Sequence, residues 1–346
     1  MNNTQTAQET ALSQKFPSPT GEGLGVRSAG GESSSSPWGI IYCPKQGVRR
    51  THKRWERIKE LLDANHITYD FVQSEGPQSV ERLTRMLCSN GYETLIIVGG
   101  DSALNRALNG ILSMDDAVRQ RVALGVIPNG RGNDFATFWG FTEENDEKTI
   151  QWLANRRLRK VDVGYLLPLS KAGDAEAPAA PHYFLNCINV GLVANIMKLK
   201  YKTRRMFGLA TLSYSASMIL LLFQRMEKRM RLHINEDTIE QKVMNVCIGN
   251  CRGYGLTPSA VPYNGCLDVS VISQPEMRQL IEGMGMLFTG KFLNHKDVKA
   301  FRTTRSILFE EAHGAIVSAD GRVLKEMQTP FEIGLKPEHI NLIIPS

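Results

Sequence analysis

The first half of the chain alternates between two hydrophobic rhythms. Continuous apolar runs at 38–43, 67–73, 94–98 and 124–127 have the length and Ile/Val content of strands buried on both faces. Between them, apolar positions recur at helical spacing: Trp55, Ile58, Leu61 and Leu62, then segments 80–89 and 104–112, then a short helix at 134–139. Strand and helix in turn predict a parallel sheet with helices packed on it.

Beyond about residue 160 the rhythm changes. Segments 161–165, 183–189, 230–235, 243–249, 267–273 and 306–311 read as strands, with two-residue alternation clearest at 231–235 and 267–272. They predict an antiparallel sheet or sandwich. A basic and apolar helical stretch, 192–226, interrupts the series, and 172–181 is a Pro/Ala loop read as mobile. Residues 1–36 are rich in Gly, Ser and Thr, lack hydrophobic periodicity and are expected to be disordered. The expected organisation is a disordered extension (1–36), an α/β domain (37–160) and a β-sandwich domain (161–330).

Composition narrows the class. At 346 residues and 38.6 kDa the chain is long enough for two domains with real cores, and 42% of it is hydrophobic. The six cysteines are scattered without a Cys-x-x-Cys, which argues for reduced thiols rather than zinc or disulfides. A net charge of +6 and a pI near 9.0 suit an anionic partner: nucleic acid, acidic membrane or nucleotide. One basic cluster is Arg156, Arg157, Arg159 and Lys160; another is Lys198, Lys200, Lys202, Arg204 and Arg205. Tyr201 apart, neither is interleaved with stacking aromatics, so nucleic acid is not expected.

The apolar segment 209–223 follows the second cluster. It is shorter than the ~20 residues of a spanning helix, and Ser213, Tyr214, Ser215 and Ser217 interrupt it. It reads as a buried helix or one lining an apolar cavity. The first 15 residues carry no apolar signal core, so a cytoplasmic location is expected, with at most peripheral membrane contact.

Two strands run straight into glycines. The segments are Ile96-Ile-Val-Gly-Gly-Asp-Ser-Ala-Leu-Asn105 and Leu124-Gly-Val-Ile-Pro-Asn-Gly-Arg-Gly-Asn-Asp-Phe-Ala136. Glycines at a strand's carboxyl end let backbone N–H groups approach an anion, and the next helix adds a favourable dipole. Two such turns on neighbouring strands suggest one phosphate-rich ligand gripped from two loops. Candidate cradle residues are Pro44, Lys45, Gln46 and Gly47; Gly99, Gly100, Asp101 and Ser102; and Gly130, Arg131, Gly132, Asn133 and Asp134. Asp101 is too acidic to hold phosphate itself, so it would bond loop amides, bind a metal through water, or simply cap a helix.

The order Gly-Gly-Asp, then Pro-x-Gly-x-Gly-Asn-Asp-Phe-Ala, resembles the diacylglycerol kinase catalytic-domain family, which includes bacterial lipid kinases and sphingosine kinases. The resemblance extends over about residues 38–345 and implies a NAD kinase/diacylglycerol kinase-like α/β domain plus an antiparallel β-sandwich. In that layout the C-terminal segment, 331–346, returns to complete the first domain. It implies a lipid kinase of lipid metabolism and phospholipid biosynthesis, using ATP and Mg²⁺ at the inner membrane face. Its acceptor would be diacylglycerol or a related lipid, seated between the domains with an acyl chain against 209–223. The implied partners are that lipid and an anionic membrane surface; a homodimer is left open.

The same resemblance adds Ser74 and Asn105 to the nucleotide residues. It makes Asp320, in Ser318-Ala-Asp-Gly-Arg322, the general base, expected to be an exposed carboxylate on a tight turn. Alone, Asp-Gly is an ordinary hairpin turn. Four departures stand out. Ser102 and Ala103 replace the family's Gly-Thr, and Arg131 replaces a threonine, where it could reach phosphate or crowd the nucleotide. Arg322 replaces a glutamate. In Val261-Pro-Tyr-Asn-Gly-Cys-Leu-Asp268, Asn264 replaces a metal-binding carboxylate, so a cation at Val261, Asn264 and Cys266 is expected to be weak or absent. The alternative is a degenerate member that binds nucleotide or lipid with little transfer. A NAD kinase-like enzyme is a third reading, opposed by Asn133-Asp-Phe-Ala136 and the apolar segment.

Overall fold

The computed structural model describes residues 25–27, 36–44, 50–130, 132–169, 180–196, 227–273, 286, 292–324 and 327–346. The first half runs β1 (Gly25–Arg27), β2 (Trp38–Tyr42), α1 (Arg50–Ala64), β3 (Tyr69–Gln73), α2 (Ser79–Ser89) and β4 (Thr94–Gly99). It continues with α3 (Asp101–Leu112), α4 (Asp116–Arg121), β5 (Ala123–Pro128), α5 (Asp134–Phe138) and α6 (Asp146–Ala154). Strands β3, β2, β4 and β5 pair in that order and are parallel. β2, β4 and β5 are buried at every residue, as continuous apolar runs require when a sheet is covered on both faces.

The expectation of a wholly disordered 1–36 needs correction. β1 lies within it and pairs antiparallel with β3, Val26 opposite Asp70. An edge strand presents unpaired N–H and C=O groups that any extended segment can satisfy, whatever its hydrophobic pattern. The helices at 116–121 and 146–154 carry no strong apolar stripe. They are marked by caps instead: Asp115 accepts from Val118 N–H, and Asn145 from Lys148 N–H.

The second half is antiparallel: β6 (Leu158–Pro168), β7 (His182–Phe184), β8 (Cys187–Gly191), β9 (Lys228–Ile234), β10 (Asp237–Gly249) and β11 (Leu267–Ser273). After these come β12 (Val298–Thr303), β13 (Ile307–Glu311), β14 (Val317–Ala319), β15 (Arg322–Leu324) and β16 (Phe331–Ile343). Met230, Leu232 and Ile234 point inward from β9, the alternation of a half-buried strand, and join Phe309, Phe331 and Val269 in the sandwich core. β16 pairs antiparallel with β6 along its length, and its Asn341 and Leu342 pair parallel with β5. One long ribbon, β6–β16, therefore runs through both sheets.

The single strand expected at 183–189 is two. β7 pairs with β6, while β8 pairs with β10 and β14. The break falls at Leu185–Asn186, where successive N–H groups leave the ladder for a carboxylate described below. The mobile loop and the basic-apolar helix lie almost wholly outside the described residues, as do Lys45, Gln46, Gly47 and Arg131.

Candidate active site

β4 and β5 are neighbours to their last residues, Gly99 opposite Pro128, so the two glycine turns leave the sheet side by side. Asn129 N–H donates to Gly99 O at 2.8 Å. A Cβ on Gly100 would lie 2.8 Å from the Gly130 Cα. The turns are thus packed backbone to backbone, which only glycine permits there. Asn133 adopts a left-handed φ of 57° and its Oδ1 accepts from Gly130 N–H at 2.7 Å. Its Nδ2 donates to Glu143 Oε1 at 3.0 Å.

Asp101, the first residue of α3, bonds loop amides. Its two oxygens accept from Asp134 N–H and Phe135 N–H, each at 3.1 Å, so it caps α5 from across the cradle. Burial raises the Asp101 pKa against these bonds. Burial, then the Asp101 charge, pushes Asp134 up to about 6. The two carboxylates form a pair that resists double ionisation.

Other candidates sit as follows. Ser74 is buried at the end of β3, its N–H on Tyr42 O and its hydroxyl on the Cys43 thiol. Pro44 and Ser102 are partly exposed beside the turns. Asn105 does not face the cradle. It is buried, and its Nδ2 donates to Tyr183 O (2.8 Å) and Asp320 Oδ2 (3.0 Å). With Asn109, which exchanges hydrogen bonds with the Tyr183 backbone at 3.0 Å, it clasps α3 to the sandwich.

Asp320 is not an exposed turn carboxylate; only 2% of it is accessible. Oδ1 accepts from Asn186 and Cys187 N–H at 2.9 Å, and Oδ2 from Leu185 N–H at 2.8 Å and the Asn105 amide. Four donors fill its acceptor sites, and burial still pushes its pKa up to about 6. The Asp-Gly turn was legible, but its docking onto the β7–β8 break was not. Arg322 turns to α2, 4.0 Å from Glu81, which also holds Arg85 at 2.9 Å.

Sequence reading also missed the brace behind the cradle. Arg54 donates to both Asp146 oxygens (2.5 and 2.9 Å), to Pro128 O (2.6 Å) and to Asn129 Oδ1 (3.3 Å). A guanidinium has the planar fork for this, but neither partner carries a sequence signature.

Residues 261–266 do not fit a divalent cation. Val261 O accepts from Tyr263 N–H, Pro262 O from Asp162 N–H, and Asn264 Oδ1 from Cys266 N–H at 3.0 Å. Asp268 is committed to Arg302 at 2.6 and 3.0 Å. The loop is held instead by buried Asp162, which accepts from Gly265 N–H (2.7 Å) and Glu338 N–H (2.9 Å). EDTA is accordingly expected to leave the melting temperature unchanged, while Asp162→Ala lowers it by about 5 °C by removing two part-buried hydrogen bonds to the Gly265 and Glu338 N–H groups. A melting temperature that EDTA depresses as far as the substitution does would refute the metal-free brace.

Paired glycine turns at the carboxyl edge of a parallel sheet, with α3 clasped to a β-sandwich through Asn105 and Asn109, make a cradle suited to a phosphate-bearing ligand. A model of the diacylglycerol kinase catalytic domain matches residues 37–166, and one of the YegS C-terminal NAD kinase beta sandwich-like domain matches 186–344. The chain thus combines a region matching the diacylglycerol kinase catalytic domain with one matching the YegS C-terminal β-sandwich-like domain. It is 28% identical over 300 residues to the "Probable lipid kinase YegS-like" of Chromohalobacter salexigens, covering 84% of this chain and 88% of that one. It is 22% identical to the diacylglycerol kinase of Bacillus subtilis, covering 75% and 81%. A diacylglycerol kinase structure from Bacillus anthracis superposes with a TM-score of 0.61 at 18% identity, covering 90% of this chain and 98% of that one, and shares the fold.

Proposed function

We propose that the protein transfers the γ-phosphate of MgATP to a hydroxyl of diacylglycerol or a related lipid, at the cytoplasmic face of a membrane. The observation that carries this is the locked pair of glycine turns, with Asp101 joining them and the sandwich clasped to the same helix, α3, through Asn105 and Asn109. Phosphoryl transfer asks the protein for a phosphate cradle, an ordered acceptor and a carboxylate for the acceptor proton. Mg²⁺ arrives as part of the nucleotide substrate and offsets the phosphate charge.

With Asp320 saturated, the Asp101–Asp134 pair takes over the role of base. Asp134 is partly exposed and its raised pKa suits proton uptake near neutrality. Because the base must be ionised, activity falls as pH drops through about 6. Among the described residues no helix is long and apolar enough to cross a membrane. The names of the relatives support the acceptor class.

The test is transfer of labelled γ-phosphate from ATP into diacylglycerol micelles and a bacterial lipid extract. The wild type labels a lipid, and Asp134→Asn lowers kcat about a hundredfold, the usual scale of a lost base. A wild type that binds ATP but labels no lipid would overturn the reading.

A further inference from the structure

Among the described residues two large apolar side chains stand exposed, Leu158 (43%) and Tyr263 (39%), and both border one edge of the molecule. Arg159, next to Leu158, lays its guanidinium over the Tyr263 ring, 3.8 Å from the centroid. The Tyr263 loop is held along β6 by the Asp162 N–H, which donates to Pro262 O at 2.9 Å. Beside that ring the partly buried Trp139 and Phe138 rings lie 5.6 and 6.3 Å away, and the exposed Arg252 sits 5.6 Å from the Phe138 centroid. Neither half builds this patch alone: α5 and the start of β6 supply one side, and the segment between β10 and β11 the other.

The charge at this edge is also uncompensated. Residues 154–160 are all exposed, so the alternating side chains at the start of β6 meet solvent on both faces. Arg157, Arg159, Lys160 and Arg252 form no ion pair among the described residues. Exposed cations of the sandwich differ: Arg229 reaches Glu240 at 2.6 Å, Lys242 reaches Glu227 at 2.9 Å, and Arg305 reaches Glu236 at 2.6 Å. Four unpaired cations beside exposed aromatic and aliphatic side chains suit an anionic partner that also accepts apolar contact.

A phospholipid surface has both properties. Tyr and Trp rings favour the headgroup level, and Lys and Arg are drawn to anionic lipids. A guanidinium stacked on a ring keeps its donors free for phosphate oxygens. Nucleic acid shares the charge, but a base would need the Tyr263 face that Arg159 already covers.

We propose that the edge formed by residues 157–160 with Tyr263 docks the protein onto an anionic phospholipid surface. This deepens the lipid kinase reading and rests on it for the choice of a membrane. Phe138 lies one turn beyond Asp134 in α5, so docking here holds the cradle helix beside the lipid.

Sedimentation without nucleotide, on vesicles of equal parts phosphatidylcholine and phosphatidylglycerol, tests the proposal. The triple variant Arg157→Gln, Arg159→Gln, Lys160→Gln is expected to bind about a hundredfold more weakly, each cation being worth about fivefold near an anionic surface. Tyr263→Ala keeps the charge and also binds severalfold more weakly. A control triple, Arg229→Gln, Lys242→Gln, Arg305→Gln, carries the same net charge and binds like the wild type. Equal losses in the two triples, or an unimpaired Tyr263→Ala, overturn the proposal. So does tighter binding to single-stranded RNA than to these vesicles. An inactive wild type that docks through this edge sinks the lipid kinase reading alone; an active one that ignores phosphatidylglycerol sinks this proposal alone.

Discussion

Asp320→Ala is expected to destabilise the folded chain by about 4 kcal/mol, with loss of activity following from the opened junction. The carboxylate accepts from three consecutive main-chain donors and from Asn105, and all of these are buried. Alanine would orphan them together, at roughly 1–3 kcal/mol each before relaxation. In urea the midpoint should fall by about 1 M or more. A midpoint within about 0.3 M of wild type would refute the brace.

Protonation gives a second handle on the same group. Burial outweighs the four donors and lifts its pKa to about 6, above the unfolded value of roughly 4. Between those limits the native state binds more protons than the unfolded state. The contribution is therefore fully present below about pH 4 and is lost as pH rises through about 6. Against Asp320→Asn, which cannot titrate, the wild type should gain relative stability as pH is lowered from 7 toward 4.5.

Gly100→Ala should abolish nucleotide handling while sparing most of the fold. Gly100 has an extended backbone, φ −103° and ψ −175°, so alanine brings no strain of its own. The added methyl would sit 2.8 Å from the Gly130 Cα, main chain that cannot rotate away. The turns must part, which strains the Asp101 bonds to residues 134 and 135. Turnover should fall roughly a thousandfold, because displaced donors lose both positioning and charge stabilisation. Gly76→Ala, which meets nothing within 4 Å, is the matched control. Calorimetric ATP titration checks it directly: an affinity within threefold of the control would sink the idea of touching turns.

Legibility in the sequence followed the range of the forces. β4 and β5 were plain because a strand buried on both faces must be apolar throughout, a local property. The paired glycines were plain for the same reason: close approach leaves a residue-type mark. Asp320 was misjudged because its donors lie far away in sequence, 215 residues in the case of Asn105. Nothing local distinguishes a turn facing water from one docked into a strand break. The family resemblance marks Asn105 as a nucleotide residue, but its buried side chain meets Tyr183 and Asp320 instead. The Arg54–Asp146 brace was equally silent, since a charged pair across two helices has no periodicity to betray it.

The β6–β16 ribbon has a consequence for how the chain is made. Among the described strands β16 is the last to be synthesised, yet it lines β5 in the parallel sheet and β13 in the sandwich. Until it emerges from the ribosome, β5 keeps an open edge and neither half is complete. Domain-by-domain folding during translation, common for chains of this size, is thereby denied to both halves. They must close late and together, around contacts of long sequence separation, which makes this a slow folder that leans on protection of its nascent sheet edge.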